Sequence, residues 1–391
     1  MTDYTDIILW ALFIFLLTIM IGIAVNKTDY FLSEGFGTQC LDYIPYNGYS
    51  NYPILQNTIF VSVASYRDSE CSMTLDTLFN NATFPERIFV GVCEQNKTGM
   101  KNELCLSSKI MKYRDHIRIT TMDHKEAKGP TYARYYCSKL WRGEQYFLQI
   151  DSHTSFIKGW DTDLIEMITQ IKTDPNESSK PVLSVYPPTK EQMDIKGFPE
   201  MDSCSLNQNN ILSLYCGWSE PSDVPRRSNK PWSAAGFMFL ESNFLFSVPF
   251  DPNLSHLFGG EEILFSARLW TNGYDFYTPN KKIAYHHYNR TKAPLYHKDL
   301  TNSGECRAKA EKRVLFLLGL ISKHSVADDF LRNYNYYGLG KFRSIDDFWK
   351  ASGIDFDSKT TEKWNDNTKP SSKYEGWWFR KDGFAKIKKW N

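Results

Sequence analysis

Short apolar runs alternate with amphipathic segments along much of this chain. Short runs rich in apolar, β-branched and aromatic residues predict strands, and they occur at residues 59–64, 88–92, 117–121, 146–150 and 182–185. Between these runs, apolar residues recur three and four positions apart, which predicts helices over residues 69–80, 129–141 and 161–172. Strands that alternate with helices are typical of an α/β fold, so we expect a parallel sheet covered by helices on both faces.

The second half of the chain has a weaker pattern. Residues 187–231 are rich in proline and polar residues and show no clear period, which predicts a long irregular segment of the kind that is usually functional or mobile. Order returns after this segment with a strand predicted over residues 234–240, a helix over 260–272, a strand over 283–285 and a helix over 306–321.

The first segment differs from the others because residues 7–25 carry no charge. An apolar run of this length can span the hydrocarbon core of a bilayer, which takes about 20 helical residues. No basic region precedes the run and no obvious cleavage site follows it. We therefore predict an uncleaved membrane anchor, with a buried helix of a soluble domain as the alternative. Lys27 follows the run closely, and by the positive-inside rule it weakly favours a cytoplasmic main domain.

These patterns divide the chain into five parts. We expect a short tail at residues 1–6, a transmembrane anchor at 7–25, a polar stem at 26–57, the main globular domain at 58–355, and a polar and aromatic extension at 356–391.

Charge and cysteine content narrow the classes of function. The net charge is +1 with acids and bases interspersed, which argues against nucleic acid as a partner because phosphate binding needs a basic face. The eight cysteines include no Cys-x-x-Cys pair, so a zinc ribbon is not expected. Their even number permits disulfides in a lumenal domain without requiring them.

The strongest candidate chemistry lies directly after the predicted strand at residues 146–150. Asp151 and His153 are two positions apart, and in an extended segment such residues point to the same side. The two side chains can therefore converge on one metal ion. The carboxyl ends of strands are also where open α/β sheets bind their ligands.

Further short motifs accompany this pair in a fixed order. They are SVASYRD at residues 62–68, GPTYAR at 129–134, LQIDSH at 148–153, FGGEE at 258–262, ARLWTNGYDFYTP at 267–279, YHHYNR at 285–290, YGLG at 337–340 and DFW at 347–349. Together they resemble the polypeptide α-N-acetylglucosaminyltransferases, a family that includes a hydroxyproline-modifying enzyme. The resemblance covers roughly residues 58–355 and leaves the anchor outside.

That family is similar in plan to the mucin-type polypeptide N-acetylgalactosaminyltransferases. The resemblance implies a GT-A fold, which is Rossmann-like with a mostly parallel sheet flanked by helices, and transfer with retention of configuration. It also implies that Asp151, His153 and a later histidine hold a divalent metal. Imidazole and carboxylate ligands suit Mn²⁺ better than Mg²⁺. The family position favours His286 as the third ligand over His287, and alternation along a strand sends these two rings to opposite faces.

The resemblance also implies residues that hold the donor nucleotide. Arg134 and Arg290 are candidates for the diphosphate, because a guanidinium matches phosphate oxygens, and the alternative for each is a surface ion pair. Ser65, Arg67 and Asp68 follow the first strand, where contact with uracil or ribose is implied. Asp68 is equally suited to cap the helix that follows.

Two adjacent acids open the predicted helix at residues 260–272. The helix dipole favours acidic residues in the first turn, and this alone accounts for the presence of either Glu261 or Glu262. The glycines before them indicate a close approach to the backbone. The resemblance makes this the sugar-binding or acceptor-binding loop, so both are candidates for the catalytic centre.

The activity implied is metal-dependent transfer of N-acetylglucosamine from UDP-GlcNAc to a polypeptide hydroxyl, on serine, threonine or hydroxyproline. The alternatives are the same fold with another UDP-sugar donor, a non-catalytic membrane-anchored protein that binds glycan or peptide, and a metal-dependent hydrolase. The anchor favours a single-pass type II protein of the Golgi or endoplasmic reticulum, whereas Lys27 favours a cytoplasmic domain.

Overall fold

The computed structural model describes residues 40–42, 44, 48–206, 211–291, 293–300, 303–355 and 360–361. The predicted anchor at 7–25, much of the predicted stem and nearly all of the extension at 356–391 lie outside these residues. Within the described part of the chain, every helix is too short or too polar to cross a bilayer.

The secondary structure confirms the alternation of strands and helices. Strands β1 to β14 are Leu55–Tyr66, Ile88–Asn96, Ile117–Asp123, Glu144–Asp151, Thr154–Phe156, Pro181–Ser184, Phe198–Leu206, Leu212–Ser219, Arg226–Arg227, Phe237–Glu241, Asp275–Thr278, Ala284–His286, Ile354–Asp355 and Thr360–Thr361. Helices α1 to α8 are Cys71–Asn80, Pro130–Ser138, Trp160–Thr173, Phe244–Ser247, Glu261–Thr271, Tyr296–Asp299, Gly304–Leu317 and Ile345–Ser352. Short 3-10 helices span Pro85–Arg87, Lys101–Glu103, Ser108–His116, His124–Glu126, Lys190–Gln192, Lys323–Ser325 and Asp328–Leu331.

The main sheet has eight strands in the order β3-β2-β1-β4-β10-β6-β11-β9. Its first four strands are parallel, as the sequence predicts. The second half is mixed, because β10 lies antiparallel between β4 and β6, and β9 pairs antiparallel with β11. The mostly parallel sheet that the resemblance implies is therefore confirmed, and its antiparallel pairs all lie in this half. The fold is α/β with a mixed, mostly parallel sheet.

The segment predicted to be irregular contains a hairpin. Strands β7 and β8 pair antiparallel from Phe198 with Ser219 to Leu206 with Leu212, and the register shifts between Met201 and Ser203. Such a shift breaks the period-two pattern, which is why the sequence shows no strand signal here.

Aromatic side chains fill the core beside the main sheet. Phe60 of β1 and Phe147 of β4 lie on neighbouring strands with ring centroids 5.3 Å apart, and both are fully buried. Phe244 meets Phe147 edge to face at 5.2 Å. This packing fixes the register of β4, and so sets where Asp151 leaves the sheet.

A separate two-stranded sheet holds the segment after β4. In it, β5 and β12 pair antiparallel, with His286 opposite Thr154. The side chain of Thr74 in α1 supports this arrangement by donating to the carbonyl oxygen of Ser152 and accepting the backbone N–H of Thr154. A disulfide between Cys71 and Cys105 ties the start of α1 to the segment after β2.

Candidate active site

A pocket of about 450 Å³ opens at the carboxyl edge of the main sheet. Its walls come from the ends of β1, β4 and β12, from the start of α5, and from residues 294–297. Sequence-predicted site residues that border it are Asp68, Arg134, Asp151, His153, Glu261, Glu262, His286 and Arg290. The fold thus brings together candidate site residues that are far apart in the chain. The largest separation is 222 residues, between Asp68 and Arg290.

The three predicted metal ligands converge in this pocket. One ligand atom from each of Asp151, His153 and His286 lies within 4.8 Å of the other two. The Nε2 atom of His286 lies 3.1 Å from Oδ2 of Asp151, and the rings of His153 and His286 are 4.5 Å apart. Neighbouring ligands of an octahedral ion with bonds near 2.1 Å are about 3 Å apart, so this donor set fits a divalent ion.

Burial and charge set the protonation of these groups. Burial lowers the pKa of His286 to about 4, with a further contribution from His153, so its imidazole is neutral. Burial by itself would raise the pKa of Asp151, but contact with His286 and the charge of Arg134 hold it well below its usual range. A neutral imidazole beside an ionised carboxylate is the form that binds a metal ion.

His153 is oriented by a second carboxylate. Its Nδ1 lies 2.9 Å from Oδ2 of Asp68, a side chain that is 1% exposed. The Asp68 carboxylate also accepts hydrogen bonds from the Ser152 hydroxyl at 2.6 Å and from Nη1 of Arg290 at 2.8 Å. Burial would raise the pKa of Asp68, but these partners, led by His153, keep it well below its ordinary value.

His287 directly follows β12 and, unlike His286, does not border the pocket among the described residues. Its Nδ1 is 2.9 Å from Glu70 and its Nε2 is 3.2 Å from the Ser155 hydroxyl. Serine, histidine and glutamate in a row resemble the arrangement of a nucleophile and its base. Ser155 is only 1% exposed, however, so the hydroxyl is closed to substrate and the row has a structural role.

Arg134 sits between two acidic groups of the pocket. Its Nη2 lies 3.2 Å from Asp151, and its Nη1 lies 3.7 Å from Glu261. The guanidinium is 8% exposed, and its Nε has no hydrogen-bond partner within the described part of the chain. The surface ion pair considered as an alternative is therefore wrong for this residue, since both its location and its partners are internal.

Glu261 and Glu262 differ although they are adjacent. Glu261 accepts the backbone N–H of Gly259 at 2.8 Å, and that glycine has φ 95, a value that favours glycine. Glu262 accepts from the Tyr186 hydroxyl at 2.5 Å and from the backbone N–H of Ala235 at 2.7 Å. Burial, followed by the charge of Glu261, raises the pKa of Glu262 to about 8, so this carboxyl is mostly protonated at neutral pH.

Two of the predicted nucleotide contacts lie elsewhere. Ser65 is fully buried and is not among the described residues that border the pocket, because alternation along β1 turns Ala64 and Tyr66 toward it. Arg67 has φ 48, and its side chain pairs with Glu103 at 3.1 Å and with Asp299 at 2.7 Å. Neither side chain borders the pocket among the described residues, whereas Asp68 does, and contact of Ser65 and Arg67 with the nucleotide stays a prediction.

The structure adds pocket residues that sequence reasoning missed. Tyr186 follows the strand predicted at 182–185, so its place at a strand end was a usable signal. Leu212 and Ser213 enter from β8, and Tyr296 and His297 come from α6. These four gave no signal, because neither the hairpin nor α6 was predicted.

Comparison with known proteins gives a family match and a similarity of fold. A family model described as glycosyltransferase (GlcNAc) matches residues 58–114 and 106–358. A crystal structure of GalNAc-T7 with UDP, GalNAc and Mn²⁺ is similar in fold, with a TM-score of 0.50 and 15% identity over 77% of this chain. This chain spans 57% of the length of that structure.

Structures of S. aureus TarS 1–349 also match. The one with UDP-GlcNAc has a TM-score of 0.40 and 15% identity, covering 68% of this chain and 72% of that one. The other has a TM-score of 0.39 and 14% identity, covering 79% of this chain and 94% of that one. No curated protein matches the chain significantly.

Proposed function

Because the chain belongs to the GlcNAc glycosyltransferase family, whose model matches residues 58–114 and 106–358, we propose that it transfers N-acetylglucosamine from UDP-GlcNAc to a polypeptide hydroxyl in a metal-dependent reaction. It is a glycosyltransferase with a GT-A-like fold. One observation carries the finer proposal. Asp151, His153 and His286 bring their ligand atoms within 4.8 Å of one another in a pocket that also holds Arg134 and Arg290.

A divalent ion, with Mn²⁺ preferred, would be held by Asp151, His153 and His286. The donor set supports this because it combines a carboxylate with two imidazoles, and because it fits the spacing of adjacent ligands. When bound, such an ion supplies positive charge that offsets the charge of the diphosphate leaving group.

The remaining charges of the pocket suit a diphosphate. Arg134 and Arg290 each present a guanidinium at the pocket wall, and this group matches phosphate oxygens in geometry and charge. A protonated Glu262 removes one negative charge from the same wall. The pocket is therefore less negative than its number of carboxyl groups indicates, which favours an anionic donor.

Retention of configuration is part of the proposal. A front-side transfer needs no dedicated protein base, and no carboxylate of the pocket is isolated and poised for that role. In this scheme Glu261 and Glu262 hold the sugar or the acceptor at the catalytic centre. NMR of the anomeric coupling in the product tests this, since a β-linked product contradicts it.

The acceptor and the location complete the proposal. We propose that residues 7–25 anchor a single-pass type II protein in the Golgi or endoplasmic reticulum, with residues 26–57 as the stem and 58–355 as the catalytic domain. Serine or threonine is then the expected acceptor, and hydroxyproline is the acceptor if the domain is cytoplasmic.

The test uses purified full-length protein with a panel of UDP-sugars and of peptides containing serine, threonine or hydroxyproline. We expect transfer from UDP-GlcNAc that needs Mn²⁺ and stops in EDTA. His286→Ala is expected to abolish transfer. The matched control is His287→Ala, which changes the next residue along the chain, one that does not border the pocket among the described residues. Turnover in EDTA, or an active His286→Ala variant, contradicts the metal assignment. Transfer from another UDP-sugar in preference to UDP-GlcNAc contradicts the proposed choice of donor.

A further inference from the structure

We propose that Asp68 is a positioning residue that holds His153 and Arg290 together, so that one carboxylate links the metal site to the diphosphate site. This inference rests on the proposed function and deepens it. Asp68 lies between β1 and α1, outside the three predicted metal ligands, and its side chain is 1% exposed.

The two oxygens of Asp68 have different partners. Oδ1 accepts the backbone N–H of Glu70 at 3.0 Å, which is the local contact of a residue that precedes a helix. Oδ2 accepts from Ser152 at 2.6 Å, His153 at 2.9 Å and Arg290 at 2.8 Å. Asp68 does not cap α1, whose N-cap residue is Glu70, and this turn contact uses Oδ1 alone. The contacts of Oδ2 therefore require another explanation.

The contact with His153 fixes the state of its ring. A carboxylate accepts hydrogen bonds, so Nδ1 of His153 must carry the proton, and Nε2 then keeps its lone pair. That lone pair is available on the side of Asp151 and His286. A histidine whose other ring nitrogen donates to a carboxylate is a better metal ligand, and loss of such a partner typically costs about 10- to 100-fold in metal affinity.

The contact with Asp68 also fixes the position of the Arg290 guanidinium. The guanidinium reaches Asp68 through Nη1, the side chain is 14% exposed, and the residue borders the pocket. A guanidinium has further N–H donors in a planar fork, and these can meet phosphate oxygens while one nitrogen stays on the carboxylate. Asp68 thereby holds Arg290 at the pocket wall before a donor arrives, which lowers the entropic cost of binding it.

The principal experiment measures Mn²⁺ affinity of the full-length chain by electron paramagnetic resonance, without nucleotide. Asp68→Asn keeps the shape of the side chain and removes its charge. We expect its Mn²⁺ affinity to fall by about 10- to 100-fold. Excess Mn²⁺ should restore much of its turnover, which it will not do for His153→Ala. Wild-type Mn²⁺ affinity in folded Asp68→Asn overturns the inference.

A matched control separates positioning from folding. Asp161 is also a buried carboxylate at the start of a helix, in the first turn of α3, and it accepts the backbone N–H groups of Thr83 at 2.7 Å and Phe84 at 2.9 Å. It does not border the pocket among the described residues. Asp161→Asn should therefore destabilise the protein and leave Mn²⁺ affinity unchanged. An equal loss of affinity in both variants shows that Asp68 acts through the fold and overturns the inference.

A measurement on the unaltered protein keeps the inference testable if Asp68→Asn does not fold. In metal-free protein labelled with ¹⁵N-histidine, we expect the His153 ring, assigned with His153→Gln, to carry its proton on Nδ1. A ring protonated on Nε2 alone overturns the inference. If Asp151→Ala, in a chain that keeps Asp68, leaves Mn²⁺ binding unchanged, the metal site itself is overturned. That outcome is distinct from failure of the inference about Asp68 alone.

Discussion

The protonated state of Glu262 gives the sharpest prediction about stability. An unfolded glutamate ionises near 4.5 and the folded Glu262 near 8, chiefly because it is buried and then because Glu261 is adjacent. Between these values the folded protein holds a proton that the unfolded chain has lost. The free energy of unfolding therefore falls as pH rises through this window.

The size of the effect follows from the same values. The slope for one proton is about 1.4 kcal/mol per pH unit, so this group alone lowers stability by about 3 kcal/mol from about pH 5.5 to about pH 7.5. Solvent in the pocket screens part of the charge, which makes this figure an upper limit. Glu262→Gln stays neutral and can still accept the backbone N–H of Ala235, so its stability should lack this slope.

Urea denaturation of wild type and Glu262→Gln at several pH values measures the prediction. We expect the difference in free energy of unfolding to shift in favour of the variant as pH rises, because other titrating groups cancel in the difference. Glu261→Gln is the second variant. It removes the neighbouring charge, which lowers the pKa of folded Glu262, and so it should move the upper end of the sloping window to lower pH. A difference between wild type and Glu262→Gln that is independent of pH would refute the reasoning.

Three further predictions concern activity. Arg290→Ala is expected to lower turnover on the order of 10²-fold, by loss of one charge-stabilising donor, and unchanged kinetics with unchanged UDP affinity would contradict its role. Asp151→Ala and His153→Ala should each abolish Mn²⁺-dependent transfer while circular dichroism shows an intact fold. A chain that begins at Thr38 keeps the disulfide-bonded Cys40 and lacks the predicted anchor, so it should be soluble and active. Loss of activity in that folded chain would show that the removed segment contributes to the site.

The sequence predicts the first half of the sheet well because its strands contain short runs rich in apolar and β-branched residues. Each of the strands β1 to β4 contains one of these runs, at residues 59–64, 88–92, 117–121 and 146–150 respectively. It fails for β5, which has only three residues, Thr154–Phe156, and for the β7–β8 hairpin with its shifted register. Short and irregular strands are fixed by partners distant in the chain, and no local pattern reports them.

The candidate site also has a part that depends on local spacing and a part that depends on contacts between residues far apart in the chain. Asp151 and His153 were predictable because their spacing is local. His286 lies beside them only because β5 pairs with β12. The hydrogen bond between His153 and Asp68 joins residues 85 positions apart. The ion pairs of Arg67 with Glu103 and Asp299 likewise join distant parts of the chain, so the sequence does not report them.

The central claim is that one divalent ion, held by Asp151, His153 and His286, binds the diphosphate of a UDP-sugar. Crystals grown with UDP and Mn²⁺, measured at a wavelength where manganese scatters anomalously, test it most directly. We predict one anomalous peak within bonding distance of all three side chains and of a diphosphate oxygen. A peak bound by His287 instead of His286, or UDP bound in the pocket with no peak beside it, would contradict the claim.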